Sequence, residues 1–424
     1  MNFLAKENPD RWHQLTWWLC VATLPWPPIA INISLFLLTI LWIADGDFKM
    51  KWQRLKDAKW TLPFLIYYMV LLIGMLYTLD ASRGLAMLDK KIIFLAFPIL
   101  IATGRVLHKD FFEFLKRSFV YSCSAVVLAC LILAAYSFFQ GSPAENFDIR
   151  TSENFMLFHP DVSSVWTHFS YIQLANGVGI HPGYLSMYLV FCMVILFTEN
   201  YQTRTEKIIN SILGLIIVCA LVLLASRTAT LAFICSIVYI VVKKRQEKQV
   251  KVYVPIVLSS VLLLFLLWII PVSRFRVIEE PMITKYKADT TVTEWNSVSY
   301  RLLEWQASWS VIKDNWFAGV GTGGNSKAVT HFYEHYNKST KGLDFNAHNE
   351  YMQVWTESGL PGIFTFLLCL TVGLFPLRND SSYISFIIIF SLMCLTESMG
   401  ELQKGIAFFC LFQSLFLSAE RKKT

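Results

Sequence analysis

The feature that most constrains this chain is its recurring continuous apolar runs. Each approaches the roughly 20 residues that a helix needs to cross a bilayer. They lie on both sides of one long polar stretch, Pro271 to Pro361. Continuous apolarity argues against a membrane-spanning strand barrel, whose strands alternate. Of 424 residues 55% are hydrophobic and only 16% charged, too little charge to solvate a globular surface. The expected fold class is all-α: a polytopic helical membrane protein with about 12 transmembrane helices and a large outer loop.

The expected spans fall near residues 12–27, 28–44, 60–79 and 88–104, with a fifth ending near 139. Further spans follow near 181–197, 208–224, 228–242, 253–270, 359–375, 381–396 and 402–417. Prolines 25, 27 and 28 interrupt the first pair, which reads as two short or tilted spans joined by a tight turn or, alternatively, as one broken span. Basic clusters at 49–59, 105–117 and 243–251, with the RKKT end, mark cytoplasmic segments. Both termini then lie in the cytoplasm, and the turn at Arg227 and the stretches 141–179 and 272–358 face outward. The organisation reads as a membrane domain over 1–271, an outer loop over 272–358, and a second membrane portion with a tail over 359–424. The net charge of +7 reflects the cytoplasmic flanks and does not call for nucleic acid. Nine cysteines lie in or beside apolar runs without CxxC spacing, so neither disulfides nor a thiolate metal site is expected. The N-terminus lacks the pattern of a cleaved signal peptide.

Several polar residues stand out against this background. Arg227 lies between two apolar runs, where it serves either as an interfacial anchor or as a fork-shaped clamp for a phosphate. Arg301 recurs with Trp305 and Trp309 at helical spacing and has the same two readings. Gly319, Gly321 and Gly323 in GVGTGG permit a tight turn or close backbone approach, but the run lacks the lysine and hydroxyl of a nucleotide-binding loop. His348 is the sharpest candidate, because a histidine exchanges protons near neutral pH; local hydrogen bonding at a helix start is the plainer alternative. Glu350, Tyr351 and Glu357 follow it as possible support, and His181 with Tyr184 forms a weaker counterpart. Glu397, Glu401 and Gln403 flank the last outer turn, where they serve either to line an outward-facing cavity with the residues above or simply as capping and solvating groups. HNEY lacks metalloprotease spacing and the other histidines show no metal register, so no metal or other cofactor is expected.

HPGYLSMY, the SRTA turn, RLLEWQAS followed by GVGTG, and HNEYMQVWTESGLPG together resemble the O-antigen ligase and polymerase superfamily of integral membrane glycosyltransferases. The resemblance is strongest from about His181 to Gly405. It implies an inner-membrane enzyme with a periplasm-facing site, a partly helical outer loop and an undecaprenyl diphosphate-linked glycan as donor. The acceptor it implies is lipid A–core, another lipid-linked repeat or a protein hydroxyl. By motif, donor binding falls to Arg227 and Arg301 and the essential histidine to His348. The expected chemistry is O-antigen ligation by a metal-independent, single, inverting displacement. Polymerase, protein-glycosylating enzyme, lipid or solute transporter, and non-catalytic scaffold are the alternatives.

Overall fold

The computed structural model describes residues 10–105, 108–141, 165–199, 201, 203–246, 253–284, 296–336 and 346–420. His159, most of the outer stretch 141–179, the end of the basic run 243–251 and the RKKT end lie outside the described residues. The described chain is almost entirely helical. In order come α1 (Arg11–Thr23), α2 (Pro28–Ala44), α3 (Phe48–Asp57), α4 (Leu62–Gly74), α5 (Ala81–Lys91), α6 (Ile93–Thr103) and α7 (Lys109–Phe139). Next are α8 (Val165–His168), α9 (Tyr171–Asn176), α10 (Pro182–Thr198), α11 (Arg204–Leu224), α12 (Arg227–Gln246) and α13 (Tyr253–Ile269). After α14 (Pro271–Arg274) a π-turn at Phe275–Glu279 leads to α15 (Glu280–Ile283). The polar stretch continues as α16 (Ser297–Asp314) and α17 (Asn325–Tyr336), and the chain ends with α18 (Glu350–Thr371), α19 (Ser381–Met393) and α20 (Gln403–Glu420).

The expectation of about 12 membrane-spanning helices is overturned. Among the described residues only three helices, α7, α11 and α18, are long and apolar enough to cross a membrane. The number rises to five if two bent pairs each count as one span. One pair, α2 with α3, bends by 115°; the other, Val254–Ile269 with Pro271–Met282, bends by 96°. The physical reason is twofold. Breaks cut the apolar runs: α6 has 11 residues and contains Pro98, so it rises about 16 Å where the hydrocarbon is about 30 Å thick. Apolarity also serves packing between helices as well as contact with lipid. Every residue of α10 except Leu196 and Thr198 is buried, and Ile406 to Leu417 of α20 are at most 4% exposed.

The core is aromatic. Phe408, Phe409, Phe412 and Phe416 of α20 pack against Phe386 and Phe390 of α19, Phe191 of α10 and Phe119 of α7. The Phe390–Phe409 rings stack at 4.5 Å and Phe191 meets Phe412 edge-on at 5.0 Å. Such pairs add about 0.5–1.5 kcal/mol each beyond area burial. In contrast, α13 exposes Val254, Val257, Leu258, Val261, Leu264, Phe265 and Trp268, an apolar face suited to lipid.

A break in α18 fixes the polar stretch to this core. Gly359 takes φ +59° and ψ −156°, and Pro361 has no amide hydrogen, so the Thr356 and Glu357 carbonyls lose their helical donors. The glycine run supplies replacements: Val320 N donates to Thr356 O and Gly321 N to Glu357 O, both at 2.9 Å. A Cβ on Gly321 would meet Thr78 Cα at 2.3 Å. Gly319, Gly321 and Gly323 therefore form a seam of backbone packed on backbone between α4, α5 and α18.

Candidate active site

Three helix starts bring the polar residues together. Ala225 ends α11 in the left-handed region, φ +46°, and turns the chain so that Arg227 opens α12. Asn296 caps α16, its Oδ1 accepting from Val298 N and Ser299 N, which places Arg301 one turn further along. Asn349 caps α18 and also donates to Leu395 O at 3.0 Å, while Glu350 N donates to Cys394 O at 2.8 Å. His348 is thereby held against the turn after α19.

The arginines named from sequence are heavily engaged inside the protein. Arg227 donates through Nε to Arg276 O at 2.5 Å, and through Nη2 to Ser297 Oγ at 2.9 Å and to Glu280. Glu280 is fully buried, and its other oxygen accepts from Ser297 N at 3.0 Å and Ser297 Oγ at 2.8 Å. Arg301 donates through Nε to Thr396 O at 3.1 Å, Nη1 to Ser297 O at 3.3 Å and Nη2 to Glu397 Oε1 at 2.7 Å. The second Glu397 oxygen lies 3.3 Å from His348 Nδ1, and His348 Nε2 lies 3.9 Å from Glu304 Oε1. Glu397 thus bridges a guanidinium and an imidazole.

Part of this cluster borders a cleft of about 110 Å³. Arg227, Arg276, Arg301, His181, Glu397 and Tyr171 line it. Its size suits a small anionic group and not a whole glycan, since a cavity needs about 10–15 Å³ of such volume per water. Among the described residues four non-glycine residues have positive φ: Tyr171 lines this cleft, Ala225 precedes its lining residue Ser226, His348 pairs with its lining residue Glu397, and Asp47 is the fourth. Backbone held this way costs on the order of 1–3 kcal/mol per residue and gathers at functional sites.

The electrostatics follow from burial and partners. Burial opposes the charged form of His348, but the Glu397 hydrogen bond and the Glu304 charge more than offset it and raise its pKa. Burial likewise opposes ionisation of Glu397, yet His348 and Arg301 hold it well below the carboxylate range. His181 is moved the other way: burial lowers its pKa, and its Nδ1 accepts from Gly183 N at 3.2 Å. Burial pulls Arg227 down to about 10, so it stays protonated at neutral pH.

The remaining residues named from sequence have other immediate partners. Tyr184 OH donates to Ser398 O at 3.3 Å and Tyr351 OH to Ser391 O at 3.0 Å. Glu350 accepts from Gly400 N at 2.7 Å. Glu357 accepts from Lys91 Nζ at 3.3 Å and from Gln353 Nε2 at 3.1 Å. Sequence reasoning passed over Lys91, Tyr171, Arg276, Glu280 and Glu304. A signal existed for Lys91 in the apolar company of DKKIIFL, a costly place for a charge. Arg276 in SRFRVIEE reads as an ordinary loop arginine. Among the described residues no group of three or more His, Cys, Asp and Glu side chains is placed to hold a metal ion.

A helical protein with long apolar helices falls in the class of membrane-associated proteins, and here it carries a small arginine-lined cleft beside a histidine–carboxylate pair. The more particular assignment comes from comparison. Residues 212–367 match the family described as O-antigen ligase, and this domain match supports assignment of the chain to that superfamily. At this level the match supports a general O-antigen ligase or glycosyltransferase role and a membrane-associated location. No curated protein matches the chain.

Proposed function

We propose that the protein transfers a glycan from undecaprenyl diphosphate to an acceptor hydroxyl, with lipid A–core as acceptor, at a cleft facing the periplasm. The observation that carries the proposal is the Arg301–Glu397–His348 chain beside Arg227; Arg227, Arg301 and His348 lie within the matched residues 212–367, and Glu397 lies beyond them. His348 Nδ1–H donates to Glu397, which leaves Nε2 to receive a proton, and Glu397 stabilises the resulting imidazolium. The acceptor oxygen loses its proton to Nε2 and bonds to the donor anomeric carbon. The bond from that carbon to the diphosphate oxygen breaks in the same step, with inversion. The leaving diphosphate carries the bond's electrons, and the cationic wall of the cleft stabilises its developing charge.

The test uses full-length protein in detergent with an undecaprenyl diphosphate-linked glycan and lipid A–core. Covalent glycan on lipid A–core, with inverted anomeric configuration, is the expected result. Elongated lipid-linked glycan without ligation means a polymerase, and glycan on a protein hydroxyl means a protein-glycosylating enzyme. With the protein reconstituted in vesicles, movement of lipid across the bilayer without any covalent product means a transporter. Retained configuration rules out the single displacement.

A further inference from the structure

Arg276 differs from its two neighbours in the cleft. The residue is 5% exposed, yet among the described residues its Nε and Nη1 have no hydrogen-bond partner. A buried guanidinium ordinarily satisfies its donors, because leaving them unmade carries the full desolvation cost. Its immediate neighbour is the Tyr171 ring, whose centroid lies 3.3 Å from the guanidinium carbon. That contact stabilises the cation through the ring face and uses no N–H donor. Tyr171 is held in place with φ +47°, and both residues line the cleft with Arg227 and Arg301. Arg276 also sits in the π-turn Phe275–Glu279, a backbone irregularity that recurs at functional sites. Its carbonyl accepts from Arg227 Nε, so the two arginines are tied through the main chain.

We infer that Arg276 is a third anion-binding residue of the cleft, whose unengaged donors take the second phosphate of the donor lipid and make the site select diphosphate over monophosphate carriers. The inference rests on the proposed glycan-transfer function. Arg227 and Arg301 already donate to Glu280, Ser297, Thr396 and Glu397, so they contribute field and few further hydrogen bonds. Arg276 alone of the three keeps two buried donors unmatched. Nε–H and Nη1–H lie on different edges of the guanidinium, and each can give a separate charge-assisted hydrogen bond to a phosphate oxygen.

The experiment measures binding of undecaprenyl diphosphate and undecaprenyl monophosphate to the full-length protein in lipid nanodiscs. Wild type, Arg276→Met and Arg276→Lys are compared. Methionine keeps a long apolar side chain against Tyr171, and lysine keeps the charge without the Nε and Nη1 donors. In Arg276→Met, diphosphate binding should weaken about 10- to 100-fold, as loss of one or two charge-assisted hydrogen bonds implies. Monophosphate binding should change less than about threefold, with lysine intermediate for diphosphate. Undiminished diphosphate binding by a thermally stable Arg276→Met overturns the inference and leaves the proposed function standing. Equal weakening for both lipids overturns the selectivity and makes Arg276 a general support of the cleft. Where Arg276→Met fails to fold, Arg276→Lys decides: unchanged preference for diphosphate over monophosphate overturns the inference. Wild type that binds neither lipid sinks both the inference and the glycan-transfer reading.

Discussion

The turn between α19 and α20 supplies a carboxylate to each of two charged regions only four residues apart, and the regions are built on different terms. Glu397 serves the arginine cleft; Glu401 serves a closed network around Lys91. Lys91 is fully buried, 3.3 Å from Glu357 and 3.8 Å from Glu401. Gln353 extends the network, donating to Glu357 and Glu401 and accepting from Asn325 Nδ2 at 2.8 Å and Ala347 N at 3.1 Å. That network ties α5, α17, α18 and the segment before His348 into one unit. The cleft retains room, strained backbone and unmatched donors on Arg276, whereas the unmatched atom within the network, Asn325 Oδ1, is an acceptor. The comparison teaches that concentrated charge does not by itself mark a site. Unmatched hydrogen-bonding capacity beside open volume does.

The largest expected effect tests the cleft side of this contrast. His348→Ala should reduce glycan transfer by about 10²–10⁴-fold at unchanged membrane abundance, the range for loss of a positioned general base. Transfer at the wild-type rate would return His348 to a purely local role at the start of α18. The network side is tested by Lys91→Met. Leaving buried carboxylates without their cation should cost about 3–5 kcal/mol, read as a large fall in thermal stability in detergent. Wild-type stability together with lost transfer would erase the distinction, since Lys91 would then belong to the chemistry.

A smaller effect is expected from Arg227→Lys. It keeps the charge but loses the fork that joins Glu280, Ser297 and the Arg276 carbonyl. Transfer should fall by the equivalent of about 1.5–3 kcal/mol, a factor of roughly 10 to 160. The smallest effect is a shift in pH dependence. A neutral His348 is the active base and its pKa is raised, so the rate should fall as pH drops through a limb above the ordinary value of about 6.5. Glu397→Gln removes the carboxylate that supports the imidazolium while burial remains. The acid limb of the residual activity should therefore move to lower pH. An unmoved limb would mean that a different group titrates.

Much of the local structure was legible in the sequence because its causes are local. Apolar composition determined a helical, lipid-compatible chain. Asn296 and Asn349 act through capping geometry within a few residues, which is why Arg301 and His348 fall at or near helix starts. The motifs around Arg227, Arg301 and His348 pointed to residues that the fold places around one cleft or in contact with it.

Only the tertiary structure decided how many apolar runs are long enough to span. Hydropathy cannot tell a face buried by helices, as on α10, from one open to lipid, as on α13. It also decided that Glu397, 49 residues beyond His348, pairs with its ring, while Glu350, two residues away, accepts from Gly400. The glycine run took its role from the break at Gly359, whose freed carbonyls lie in another element. Arg276 and Lys91 have similar sequence credentials as basic residues beside apolar runs. One lines an open cleft with unmatched donors and the other is enclosed by carboxylates, because hydrogen-bond partners from distant segments meet only when the helices pack.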